Sequence, residues 1–268
     1  MDNQHSSFIG SIPENYDRYL GPFLFEPYAI DMVSRIDASS AQKVLEIACG
    51  TGRVTQHLIE KLSPDSNLIA TDLNEAMIAV AKSKVTSNNI EWRTADAQEL
   101  PFDDNTFDLV VCQFGYMFVP DKAKAFQEAF RVLKIEGNLL FNTWDKIESI
   151  TAASICSQVV TAFFDNNPPT FYHVPFSMHN ENELREYMLN AGFDRISIKE
   201  VQKEGSSDSA FNIAKGFIEG NPIYLELLEK DASAIPVLIE RIEKEIRAKC
   251  GDHPVHSPLN AYVVSAYK

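Results

Sequence analysis

The residues of this 268-residue chain best suited to chemistry begin in "VLEIACGTGRVT", Val44 to Thr55. An apolar run stops at Gly50 and Gly52, and a helix-like stretch follows. Glycines at such a turn let the backbone approach a ligand closely, and the helix N-terminus behind them favours negative charge. Asp72 stands twenty residues after Gly52, at the end of the next apolar run. A carboxylate there can accept hydrogen bonds from both hydroxyls of a ribose. Asp96 closes a third run, where an acid suits the amino group of an adenine and the backbone N–H of Ala97 can donate to a ring nitrogen. Met77 either packs on the adenine face or fills the core. Taken singly, the turn is an ordinary strand-to-helix connection, Asp72 a helix cap and Asp96 a solvated loop acid. In order, at successive run ends, they read as a nucleoside site. Thr55 stands where the dinucleotide fingerprint wants a third small residue, which disfavours an NAD-type pyrophosphate.

Other reactive side chains lie outside this set. "PPTFYHVPF" carries Tyr172 and His173, and "ENYDRYLGPFLF" carries Tyr16 and Tyr19. An imidazole is the side chain best suited to exchange protons near neutral pH, so His173 is the candidate general base, with aromatic packing as the alternative for its loop. His253 and His256 have HxxH spacing without a third ligand nearby, and no metal site is expected. Cys49, Cys112, Cys156 and Cys250 form no CxxC pair and are expected as reduced thiols.

These groups need elements to hold them. Val44–Ala48 reads as a buried strand, followed by a helix from about Arg53 to Lys61. "NLIATDL" is a second strand, and "NEAMIAVAKSKV" a helix with Asn74 as cap and Met77, Ile78 and Ala81 on one face. "IEWRTADA" and "TFDLVVCQF" are strands three and four. Asp121 can cap "KAKAFQEAFRVLK", which Gly137 is expected to end before a fifth strand, "NLLFNTW". Alternating strands and helices, with strands apolar almost throughout, predict an α/β fold: a doubly wound, mostly parallel sheet whose ligands sit beyond the C-terminal strand ends. Ala48 to Gly52, Asp72, Asp96 and Gln113 all fall there. Further on, "IESITAASICSQVVTAFF" reads as a helix, "NENELREYMLNAGF" as a helix with a capping box at Asn180 and Glu183 and a stop at Gly192, and "DRISIKEV" as a strand. "SAFNIAKGFIEG" pairs with a helix carrying Ile235, Leu238, Ile239, Ile242 and Ile246 on one stripe, and "LNAYVVSAY" is a closing strand.

Composition narrows the partners. With 45% hydrophobic and 23% charged residues the chain is globular. A formal charge of −14 argues against nucleic acid and against anionic lipid, and leaves a small neutral or cationic substrate as the easier partner. No secretory signal is visible, and the longest apolar stretch, "LVVCQFGYMFV", is about half a membrane span, so a cytoplasmic location is expected. Oligomeric state is not legible.

"VLEIACGTG", "ATDLNEAMIAVAK", "TADAQELPFDDNTFDLVVCQF" and "EAFRVLKIEGNLLF" together resemble the class I S-adenosylmethionine-dependent methyltransferases. The group most similar is the one that includes ubiquinone/menaquinone-biosynthesis enzymes and many small-molecule methyltransferases. The resemblance is good over residues 40 to 145 and loose beyond. It implies a Rossmann-like seven-stranded sheet with the last strand antiparallel, and S-adenosylmethionine as cofactor. It further implies that Glu46 and the backbone of Ala48, Cys49, Gly50, Thr51 and Gly52 face the methionine part. Asp72, with Leu73 beside it, would hold the ribose, and Asp96 and Ala97 the adenine. Gln113 and Phe114 would line the methyl-transfer cleft, and Tyr16 would belong to an N-terminal lid. Ile135-Glu136 stands where the family usually has Pro-Gly. The expected organisation is one methyltransferase domain: 1–40 lid and first helix, 41–145 cofactor-binding core, 146–180 and 205–250 cap insertions, 258–268 final strand. The helices between Ser209 and Lys249 are expected to cap the active site and shape the acceptor pocket, or to form a dimer surface. The activity implied is methyl transfer to O, N or C of a small organic acceptor. An NAD(P)-dependent oxidoreductase and a non-catalytic cofactor-binding scaffold are the alternatives.

Overall fold

A computed structural model describes residues 4–268. From Ile12 the chain is helical to Ser34, through α1 (Ile12–Asn15), a π-helical stretch (Tyr16–Phe25) and α2 (Glu26–Ser34). Strands and helices then alternate: β1 (Lys43–Ile47), α3 (Arg53–Lys61), β2 (Asn67–Asp72), α4 (Glu75–Lys84), β3 (Ile90–Thr94), β4 (Phe107–Gln113), α5 (Lys122–Val132) and β5 (Leu133–Trp144). After β5 come α6 (Thr151–Phe164), α7 (Glu181–Ala191), β6 (Asp194–Ser207), α8 (Ala210–Glu219), α9 (Ile223–Asp231), α10 (Ala234–Cys250) and β7 (Val255–Tyr267).

The seven strands form one sheet in the order β3-β2-β1-β4-β5-β7-β6. β1 pairs in parallel with β2 and β4, β2 with β3, and β4 with β5, while β7 runs antiparallel to β5, Trp144 opposite Ala261. The expected α/β class and antiparallel last strand are therefore present. Central β1 and β4 are buried almost throughout, and edge strands β3 and β6 are exposed or half-exposed along nearly their whole length, because only central strands are covered on both faces. The strand order reverses on either side of β1, so the C-terminal ends of β1, β2 and β4 flank the crevice where such sheets take ligands.

The chain divides into two compact units: residues 28–145, 178–201 and 261–268 form one, and residues up to 27, 146–177 and 202–260 the other. In the first, Met32, Val33, Val44, Leu58, Leu109 and Val111 belong to one buried apolar cluster against the sheet. In the second, α8 lies against the π-helical stretch so closely that a Cβ on Gly216 would meet Tyr19 Cβ and Leu20 Cδ2 at 2.8 Å. The wide turn holds Pro22, and the Glu26 N–H donates to the Gly21 carbonyl, five residues back. A proline lacks the N–H and crowds the preceding α-turn, and the π-turn accommodates both defects.

Several expectations change. α5 stops at Val132 and β5 starts at the next residue, so Gly137 ends no helix but lies inside β5. There a Cβ would come within 2.8 Å of the Lys134 carbonyl oxygen. Glu136 has φ 67°, so it occupies the left-handed conformation that the glycine of a Pro-Gly pair takes more easily. Asn74 stands at the N-cap of α4, but its side chain makes no cap hydrogen bond. Asp121 and Asn180 do cap, and the Asn180 side-chain amide also donates to the Glu183 carboxylate. Gly192 ends α7 at φ 107°. The helical pair after Ser209 is three helices, because α9, with its short apolar face, escaped the periodic pattern.

Candidate functional site

β1 ends in a turn in which every second residue is left-handed: Ala48 at φ 54°, Gly50 at 54° and Gly52 at 81°. Space is tight at Gly52 as well: a Cβ would stand 3.0 Å from Ala81 Cβ and 3.3 Å from Val85 Cγ2, so those side chains would have to give way. Ala48 adopts the conformation with a methyl, at a cost of roughly 1–2 kcal/mol. The turn is tied down by N–H donation from Cys49 to the Thr71 carbonyl at 2.8 Å and from Gly52 to the Cys49 carbonyl at 2.9 Å.

Two carboxyl groups sit beside it. Glu46 is 2% exposed, and Oε2 accepts from the Thr55 hydroxyl at 2.6 Å. Burial pushes its carboxyl up to about 8, the negative neighbour Asp72 adds to the rise, and the Thr55 bond opposes it. Asp72 is 6% exposed; Oδ2 accepts from the Gly50 N–H and Oδ1 from the Asn74 N–H, each at 2.8 Å. Burial raises it as well, against those N–H bonds. Neither carboxyl is ion-paired to a cation among the described residues. Two buried acids without a counter-ion oppose an anionic pyrophosphate and favour a ligand carrying positive charge. Asp72 accepts one N–H at each oxygen and retains lone pairs for hydroxyl donors.

The remaining expected residues fall around this centre. Thr51 and Cys49 are buried in the turn. Met77 is buried too, its methyl 3.7 Å from where a Gly50 Cβ would be, so it packs against the turn itself. Leu73 projects an exposed side chain directly after Asp72. Asp96 and Ala97 are half-buried in the turn after β3, with Asp96 Oδ1 accepting from the Gln98 N–H at 2.8 Å. At the end of β4, Gln113 is half-buried and Phe114 buried at φ 49°. Phe114 stacks on Trp144 at 3.7 Å, and Tyr28 meets both rings edge-on at 5.4 Å. Phe114 is thus part of an aromatic stack. Tyr16 and His173 belong to the other compact unit. There Tyr16 stacks on Phe25 at 4.7 Å, and His173 is exposed on a 3-10 turn. Tyr172 is buried, its hydroxyl donating to the Phe217 carbonyl at 3.2 Å.

Sequence reasoning missed three supports. Thr55, noted only for spoiling a dinucleotide fingerprint, holds Glu46. Asn142 on β5 accepts the Phe114 N–H through Oδ1 at 3.1 Å, stabilising that left-handed residue. Gly115 is required by its neighbours: a Cβ would lie 2.5 Å from Ala48 Cβ and 2.7 Å from Cys112 Sγ. None carries a local signal, since Thr55, Asn142 and Gly115 are fixed by Glu46, Phe114 and Ala48, nine to sixty-seven residues away. Burial pushes the Cys112 thiol up to about 12 and the Cys49 thiol well above its ordinary value, so neither offers a thiolate nucleophile. His256 Nδ1 faces Glu204 at 2.9 Å and His253 lies 3.7 Å from Asp252.

Comparison with known proteins gives these residues a context. A methyltransferase-domain family matches residues 44–137, the span from β1 into β5. The ubiquinone/menaquinone biosynthesis C-methyltransferase UbiE of Idiomarina loihiensis is 31% identical over 194 residues, covering 66% of this chain and 75% of that one. The protein of the same name from Pseudomonas fluorescens is 31% identical over 188 residues, 65% of this chain and 72% of that one. Among solved structures, YcgJ from Bacillus subtilis aligns with a TM-score of 0.58 at 19% identity, over 90% of this chain and 97% of that one. Phosphoethanolamine N-methyltransferase 2 of Haemonchus contortus, solved with S-adenosyl-L-methionine, aligns with a TM-score of 0.60 at 18% identity, over 96% of this chain and 56% of that one. At these identities the two structures speak for the fold alone.

Proposed function

This chain belongs to the S-adenosylmethionine-dependent methyltransferases, and on that premise we propose that it methylates O, N or C of a small organic acceptor. The observation that carries the cofactor assignment is the pair of buried, cation-free carboxyls Glu46 and Asp72 beside a left-handed turn. S-adenosylmethionine, the cofactor of the family, supplies a methyl group already activated by its sulfonium charge. In this reading Glu46 and the backbone of residues 48–52 hold the methionine part, Asp72 and Leu73 the ribose, Met77, Asp96 and Ala97 the adenine, and Gln113 and Phe114 the methyl-transfer end. The chain's work is then orientation. Holding an acceptor in attack geometry contributes on the order of 7–11 kcal/mol in favourable cases. A base is needed only where the acceptor must lose a proton, and that part is assigned to His173. Tyr16 is kept as the N-terminal contribution. The relatives' shared name, C-methyltransferase, makes carbon the first acceptor atom to screen.

The test is calorimetric titration with S-adenosylmethionine, S-adenosylhomocysteine, NAD and NADP. The first two are expected to bind and the last two not. Asp72→Ala should weaken binding on the order of tenfold to a hundredfold, through a lost charge-assisted hydrogen-bond acceptor. Because Asp72 also holds Gly50 and Asn74, Asp96→Ala serves as a second variant that spares the turn. Wild-type affinity in both would remove the assignment. Once an acceptor that must lose a proton is found, an undiminished kcat in His173→Ala would remove His173 from the base role.

A further inference from the structure

In the unit that contains neither Glu46 nor Asp72, α6 and α10 line an open cleft of ≈ 370 Å³. That lies within the range of roughly 300–1,000 Å³ typical of small-molecule sites. Its lining divides by chemistry. From α6 come Ile155, Val159 and Ala162, at spacings of four and three, an apolar face with the polar Gln158 at its side. From α10 come Arg241, Lys244, Glu245 and Lys249, again one helical face, while the apolar stripe of α10 is buried in the core.

The charge on this face is unusual for the chain. Acids outnumber bases 38 to 24, yet the cleft carries three cations against one carboxylate. Arg241, Lys244 and Lys249 have no carboxylate within ion-pair distance among the described residues. Arg247 on the same helix is paired with both Glu243 and Asp252. The negative end of the helix accounts for Lys249, in the last turn, but not for Arg241, more than two turns earlier. The Arg241 guanidinium lies over the Phe163 ring, 5.2 Å from its centroid. That contact fixes its plane and leaves its N–H fork free for a planar or tetrahedral anion.

We propose that this cleft binds a small anionic amphiphile, its phosphate or carboxylate head on Arg241, Lys244 and Lys249 and its short aliphatic tail on Ile155, Val159 and Ala162. The head supplies the counter-ion that the chain withholds from these three residues. The tail covers the apolar surface that Val159 and Ala162 leave accessible, above the buried Ile155. This site shares no residue with the proposed cofactor site, and its ligand is opposite in charge to the sulfonium-bearing ligand assigned there.

The experiment is calorimetry on the full chain with S-adenosylhomocysteine bound, using decyl phosphate below its aggregation concentration. Inorganic phosphate supplies the head alone and decanol the tail alone. Decyl phosphate should bind saturably, with one site, and each half at least about tenfold more weakly. The Arg241→Glu, Lys244→Glu double variant should lose at least about tenfold in decyl phosphate affinity with S-adenosylhomocysteine affinity unchanged, and raised salt should weaken the wild-type site. Val159→Trp, which fills the apolar end, should weaken decyl phosphate while sparing inorganic phosphate, and it keeps the test open if the double variant fails to fold. The proposal is overturned by absent saturable binding, by wild-type affinity in both variants, by equal binding of inorganic phosphate, or by binding to phosphatidate vesicles but not to monomeric decyl phosphate.

Discussion

Glu46 is a carboxyl whose chemistry departs far from its ordinary behaviour. Its carboxyl is pushed up to about 8 by burial, so the folded chain holds a proton that the unfolded chain releases near pH 4.5. A folded-state value raised in this way contributes stability that is present below the unfolded value and lost as pH rises through the folded one. Glu46→Gln keeps an acceptor for Thr55 and removes the titration. Its stability relative to wild type should therefore grow between pH 5 and pH 8, by an amount on the order of a few kcal/mol. Urea denaturation at pH 5, 6.5 and 8 measures it. A difference that stays constant with pH would mean that Glu46 titrates normally. Asp72 is raised by the same physics, but its two N–H donors restrain the shift.

At the scale of elements, the site rests on how closely β1 and β4 end beside each other. Ala48 and Phe114 both stand in the left-handed region, at the ends of neighbouring strands, and Gly115 fits between Ala48 and Cys112 with no room for a methyl. Gly115→Ala should cost about 1–3 kcal/mol by overpacking, read as a lower denaturation midpoint at unchanged slope. Adding Ala48→Gly removes one of the two clashing groups and should restore part of the loss, the Cys112 sulfur remaining. A double-mutant cycle that comes out additive would mean the two residues do not press on each other. The same economy appears in α8, where Gly216 admits the π-helical stretch.

For the whole molecule, the residues proposed to hold the cofactor at the ends of β1, β2, β3 and β4 all belong to one compact unit, and the cationic cleft between α6 and α10 to the other. Saturating S-adenosylhomocysteine at a hundredfold excess over its dissociation constant should stabilise the fold by about 2.7 kcal/mol. Native-state hydrogen exchange should slow most over residues 44–52, 70–77 and 94–98; slowing confined to residues 146–177 or 202–260 would displace the site. The sequence by itself determined the strand order of elements through β5, the Gly50–Gly52 turn, and the positions of Asp72 and Asp96, because each is written in local periodicity and in residues that terminate strands. It also carried the capping of α5 and α7, where donor and acceptor stand two or three residues apart. Only the tertiary structure decided that α5 passes into β5 without a break, that Thr55 holds Glu46, that Asn142 supports Phe114, and that Phe114 turns into a stack with Trp144 and Tyr28. Those contacts join residues nine to eighty-six positions apart. Burial and register create them, and neither is visible in any short window of sequence.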